Sequence, residues 1–172
     1  DFSNSLLIGH STTGTLDAAS FNTGIGIVAL DALTSGDGNT AMGYSSAGKI
    51  DTGSQNTSYG YQSNSQLRSG NSNTSLGYQA GRYVTGSFNT LIGHEAAESL
   101  TTGSGNIIIG EANTDAVDSA RTLKIVSYDG SSTTNHMLSD SSGNVTFAGT
   151  ATANGSLLAT QGDATALAVA LG

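Results

Sequence analysis

The sequence predicts an all-β fold: a β-roll or solenoid of seven repeats of about 17 residues, followed by a β-rich connector and a short C-terminal helix. Three observations carry that reading. A glycine motif recurs at fixed intervals, an aliphatic ladder keeps step with it, and the composition suits turns and ladders better than a thick core. Only 10% of the residues are charged and 36% are hydrophobic, with 24 Gly and no Pro, Cys or Trp. Disordered chains carry more charge and Pro and fewer β-branched residues than this one.

The motif is a short run ending in Gly: Ser5–Gly9, Asn22–Gly26, Asn39–Gly43, Asn56–Gly60, Asn73–Gly77, Asn89–Gly93 and Asn106–Gly110. Successive glycines are 17, 17, 17, 17, 16 and 17 residues apart. Repetition at such a period is the signature of stacked supersecondary units. Ser5 stands where every later copy has Asn.

Each part of a repeat has a physical role. A Gly three residues before the Asn (Gly36, Gly53, Gly70, Gly86 and Gly103; Ala19 in the earlier copy) supplies a turn. The Asn residues (Asn22, Asn39, Asn56, Asn73, Asn89 and Asn106) stack like on like and hydrogen-bond along the stack. Around the motif, apolar residues alternate with small or polar ones, as a strand requires. The residue before each motif Gly (Ile8, Ile25, Met42, Tyr59, Leu76, Ile92 and Ile109) reads as one inward anchor. The second anchor lies seven residues after that Gly: Leu16, Leu33, Ile50, Leu67, Val84, Leu100 and Val117. Two anchors half a repeat apart predict two short strands per repeat joined by two tight turns. Seven coils at sheet spacing give a rod of roughly 30 Å. A helical reading fails, because Gly in each half-repeat costs about 1 kcal/mol against Ala and Asn-Thr-Ser runs favour turns.

The second layer of the coil is only Ala or Ser: Ala29, Ser46, Ser63, Ala80 and Ala96. A coil this thin buries little by itself, so stacking and lateral association are both needed. The expectation is an intertwined homotrimer in which neighbouring chains share a core.

Residues 1–118 form the repeat domain. Residues 119–160 abandon the repeat and form a hairpin-rich connector, with strands at Arg121–Tyr128, Thr133–Leu138 and Val145–Thr152 separated by Gly-containing turns. Residues 161–172 include Ala164–Leu171, of helix-forming composition with Leu167 and Leu171 at i, i+4.

The Asn-Thr-x-Leu/Ile-Gly-Tyr-Gln-Ala-Gly pattern, clearest at Asn73–Gly81, resembles repeats in bacteriophage tail-fibre proteins. It is also similar to the Asn-Ser-x-Ala-Ile-Gly repeats of trimeric autotransporter adhesin heads, although those repeats are shorter and keep one more residue between Asn and Gly. The resemblance covers about residues 1–118 and implies a trimeric parallel β-roll. Asp140–Thr150 resembles segments near the distal ends of phage tail fibres, which favours the fibre. The function so implied is a structural fibre protein of a tail appendage that supports recognition of a host-surface receptor. The location implied is the virion or another extracellular surface. The alternatives are a bacterial adhesin head and a self-assembling extracellular filament.

Charge narrows the partners. A net charge of −8 argues against nucleic acid and anionic membrane surfaces. No apolar run approaches the length of a membrane helix. The chain begins at Asp1 rather than Met and reads as processed or partial. Without Cys there is no disulfide framework and no cysteine zinc site. No nucleophile elbow, phosphate loop or His-Glu-x-x-His motif is present, so neither an enzyme nor a cofactor is expected. The partners expected are other copies of the chain and a host-surface glycan or receptor.

Local candidates remain. Tyr44, Tyr61 and Tyr78 share the position after the motif Gly with His10 and His94. The two histidines stand five coils apart and cannot form a metal site in one chain. The tyrosines either stack on sugars or stack on one another along the axis, and the second reading is favoured. Asp129-Gly130 and Asp140–Asn144 read as turns rather than calcium loops, because they lack the required ligand spacing. Asn56, Asn73, Asn144 and Asn154 head Asn-x-Ser/Thr sequons, but the ladder already uses two of them.

Overall fold

A computed structural model describes residues 4–9, 18–114, 116–147, 151–153 and 156–159. The chain is all-β, a solenoid of about seven turns, with no helix among the described residues. Seven three-residue strands mark the coils: β1 (Leu6–Ile8), β2 (Thr23–Ile25), β3 (Thr40–Met42), β4 (Thr57–Tyr59), β5 (Thr74–Leu76), β6 (Thr90–Ile92) and β7 (Ile107–Ile109). They pair in parallel and in register, Thr23 with Thr40 and Ile25 with Met42, so each motif lies on its copy in the next coil.

The sheet continues beyond the repeats. β8 (Leu123–Tyr128) pairs in parallel with β7, Ile109 opposite Ile125. β9 (Thr133–Ser139) and β10 (Val145–Phe147) follow antiparallel, completing a ten-stranded sheet in chain order. β11 (Ala151–Ala153) and β12 (Ser156–Ala159) form a two-stranded antiparallel sheet. The expected helical tail over 161–172 lies outside the described residues.

Among the described residues each coil has one strand rather than the two expected. After the motif Gly the backbone enters linked turns with every second residue at positive φ: Val28 and Leu30, Ser45 and Ala47, Gln62 and Asn64. Bonds within these turns run from Ser46 N to Gly43 O (3.3 Å), Gly48 N to Ser45 O (3.3 Å) and Ile50 N to Ala47 O (3.1 Å). A left-handed residue at every second position curls the chain, so no extended segment forms. The turn amides still reach adjacent coils, as Ala47 N does to Ser63 O at 2.8 Å.

The interior corrects the assignment of the first anchor. The buried strand residue is the middle one, such as Ala41, Ser58, Ser75, Leu91 and Ile108. The residue before the motif Gly faces outward; Ile8 and Tyr59 are each 52% exposed. The aliphatic ladder from the turn side, Leu33, Ile50, Leu67, Val84 and Leu100, fills the centre at 0% exposure. That ladder takes the volume, and only a small mid-strand side chain fits opposite most of it. Leu16 lies outside the described residues. Val117 is 55% exposed, because the last coil lacks the linked turns and buries Thr114 instead.

The core is also divided. One apolar cluster runs from Ala19 to Leu67 and a second from Ala80 to Ile108. Between them sits a hydrogen-bonded polar layer. Asn64 Nδ2 donates to Ser58 Oγ at 2.9 Å, and Ser75 Oγ donates to Asn64 Oδ1 at 2.8 Å. All three residues are buried and mutually satisfied, as a polar group in a core must be.

Candidate interaction surface

The Asn residues build an unbroken ladder. Asn39 donates through its backbone N (2.8 Å) and Nδ2 (3.1 Å) to Asn22 Oδ1, and Asn56 does the same to Asn39 Oδ1 at 3.0 Å each. The pattern repeats at Asn73, Asn89 and Asn106, and the last Oδ1 accepts from Thr122 N at 3.0 Å. At the other end Ser5 Oγ accepts from Asn22 N at 2.9 Å, so the hydroxyl substitutes for the missing amide oxygen. Each Nδ2 also donates to a carbonyl where the chain comes round, Gly36, Gly53, Gly70, Gly86, Gly103 or Ser119.

A second ladder, missed in the sequence, runs the other way along an exposed edge. Ser20 N donates to Asp37 Oδ1, Asp37 N to Ser54 Oγ, Ser54 N to Asn71 Oδ1, Asn71 N to Ser87 Oγ and Ser87 N to Ser104 Oγ. The signal was a Ser, Asp or Asn immediately after each turn Gly. The glycine columns show why coils stack so closely. A Cβ on Gly43 (φ 128°) would lie 2.5 Å from Gly60 O.

The outward face of the sheet carries the functional candidates. Its apolar column is Ile8, Ile25, Met42, Tyr59, Leu76, Ile92 and Ile109, and beside it runs a threonine column, Thr23, Thr40, Thr57, Thr74 and Thr90. At the edge, Tyr44, Tyr61, Tyr78 and His94 form one stack with ring centroids 5.2, 5.3 and 5.1 Å apart and interplanar angles of 16°, 8° and 9°. Both faces of the Tyr61 and Tyr78 rings are covered by their neighbours. Sugar stacking needs an open ring face, so this geometry leaves the ring edges and hydroxyls for any ligand. His10 lies outside the described residues.

Below this stack the chemistry changes. His94 Nδ1 meets Glu111 Oε2 at 3.0 Å, and a Glu95 oxygen completes a trio of ligand-type atoms within 4.8 Å of one another. Glu95, Glu98, Glu111 and Lys124 line a cleft of about 290 Å³ between the last coils and the β8–β9 hairpin. The trio is solvent-exposed to partly buried, and the His94–Glu111 contact already accounts for two of its members. The signal for this group was the switch from Tyr and Gln to His and Glu at repeat positions that are otherwise uncharged.

The two aspartate turns close on themselves. Asp129 Oδ1 accepts from Ser131 N and Ser132 N at 2.9 Å each. Asp140 Oδ1 accepts from Ser142 N and Asn144 N at 2.9 Å, and its Oδ2 accepts from Asn144 Nδ2 at 2.7 Å. These bonds hold both carboxyls below the usual carboxylate range, led by the Ser132 amide for Asp129 and the Asn144 side chain for Asp140. No helix of the described residues is long and apolar enough to cross a membrane.

Comparison with protein-family models, curated proteins and solved structures finds no match for this chain.

Proposed function

We propose that this chain is a rigid spacer in a homotrimeric bacteriophage tail fibre, holding receptor-binding elements away from the particle. The observation that carries the reading is the continuous side-chain ladder from Ser5 through Asn106 to Thr122. Every coil is tied to the next by buried bonds that repeat without a break, so bending the rod requires breaking them. From β1 to β8 the rod is roughly 34 Å long at sheet spacing, and fibre length would follow repeat number. The sequence resemblance at Asn73–Gly81 fits both a phage fibre and an adhesin head, and the one at Asp140–Thr150 favours the fibre.

Two measurements test it. Light scattering on the purified chain should give three chains per particle; a monomer overturns the trimer, and unlimited growth favours the filament. Antibodies against the chain should label tail appendages of phage particles in electron micrographs. Labelling confined to bacterial cell surfaces would favour the adhesin instead.

A further inference from the structure

We infer that the outward face of the ten-stranded sheet is the surface through which copies of this chain pack side by side. The inference rests on the reading that the chain self-associates, and adds which face does so.

The decisive feature is the register beyond the repeats. Ile109 lies opposite Ile125, Ile125 opposite Met137, and Met137 opposite Phe147. Directly paired residues on neighbouring strands point to the same side of a sheet. The outward apolar column therefore crosses all ten strands, from Ile8 to Phe147, with one apolar residue on each and no charge. In the coils such a column follows from repetition. The hairpin does not repeat, reverses strand direction and still places apolar residues on the same line. Several of them are bare: Leu76 is 45% exposed and Phe147 52%.

Size and spacing identify the occupant. Ten strands at about 4.8 Å, and about 13 Å of chain across the face, make roughly 550 Å². The apolar column takes about half of this strip and the threonine column flanks it, which puts the apolar part near the lower end of the range for the largest patch on a monomer, roughly 300–600 Å². Two copies joined through the whole strip bury roughly 1,100 Å², enough for a specific interface. A second copy presents side chains at the same interval and stays in step along the whole column. A helix, with its pitch of about 5.4 Å, falls out of step. The column itself carries no charge, so it gives a charged partner nothing to pair with.

The test uses Leu76→Lys, Phe147→Lys and, on the opposite turn side, the exposed control Ser69→Lys, with mass measured by analytical ultracentrifugation. Wild type and the control should be oligomeric. The two face variants should sediment as single chains with unchanged circular dichroism. Folded face variants that stay oligomeric would overturn the face while leaving self-association intact; a monomeric wild type would overturn both. Should the lysine variants misfold, Tyr59→Cys decides the matter, since the chain has no cysteine of its own. Oxidation should link Tyr59→Cys chains in pairs and leave Ser69→Cys chains unlinked. The reverse pattern, or no linkage at either site, rejects the face.

Discussion

Asn56 reaches into two coils at once: its Nδ2 donates to Asn39 Oδ1 at 3.0 Å and to Gly70 O at 2.9 Å. Its own Oδ1 accepts from both nitrogens of Asn73. One buried side chain thus satisfies groups on three successive coils.

Asn56→Ala leaves the Gly70 carbonyl and the Asn73 backbone N–H without these partners in a buried site, while the Asn39 amide oxygen keeps the bond from the backbone N of residue 56. At about 1–3 kcal/mol for each buried group left unpaired, the loss should be roughly 2–5 kcal/mol in urea unfolding. Asn56→Asp should be worse at neutral pH, because a carboxylate would face two oxygens and donate to neither, and should partly recover in acid. A loss under about 0.5 kcal/mol, typical of surface positions, would show that the ladder does not hold the coils together.

Gly43→Ala and Gly38→Ala separate steric from conformational cost. Both glycines have positive φ, 128° and 66°. A Cβ at Gly38 meets only Gln55 Cγ at 3.9 Å, whereas one at Gly43 collides with the Gly60 backbone. The left-handed region costs a non-Gly residue roughly 1–2 kcal/mol, which is the loss expected for Gly38→Ala. Gly43→Ala should force adjacent coils apart and abolish the cooperative thermal transition. Similar melting temperatures for the two variants would contradict the close stacking.

Tyr61 contacts a ring on each side. Aromatic pairs contribute about 0.5–1.5 kcal/mol each, and these are exposed, so Tyr61→Ala should destabilise by roughly 1–2 kcal/mol. It should also remove the coupled aromatic signal in near-ultraviolet circular dichroism, which Tyr83→Ala should leave in place. Because Tyr61→Ala opens a face of both Tyr44 and Tyr78, sugar stacking would show as a rise in glycan-array binding; a fall would instead point to contacts through the Tyr61 hydroxyl or ring edge.

The Asp129 and Asp140 turns should loosen in acid. Both carboxyls are held below their ordinary value of 3.8 by hydrogen bonds to the ionised form. A depressed folded value contributes order that is fully present above the unfolded value, from about pH 5 upward, and lost as pH falls through the folded value. Amide shifts of Ser131, Ser132 and Asn144 should therefore hold steady above about pH 5 and move with a midpoint below 3.8. Movement centred near pH 6 would assign the turns to another group.

Much of this architecture was legible in the residues. The glycine spacing defined the coil, the Asn positions gave the ladder, and the turn-side aliphatics from Leu33 to Leu100 gave the centre of the core. Asp129 and Asp140 read correctly as turns. The linked turns after each motif Gly were not legible, since Val28 and Leu30 have no preference for left-handed backbone. Neither was the polar layer at Ser58, Asn64 and Ser75, because it depends on three residues from two coils meeting inside.

By itself the sequence determined the period, the ladders and the all-β class, because stacking like on like needs only a fixed spacing. Tertiary structure alone decided which side of each strand is the inside. Alternation divides a strand into two faces but does not name the buried one. Here the turn-side ladder fills the coil, so Ser58 turns inward and Tyr59 outward against their own hydrophobicity. The same register carries that outward line across the hairpin to Phe147, a continuity that only pairing between strands could establish.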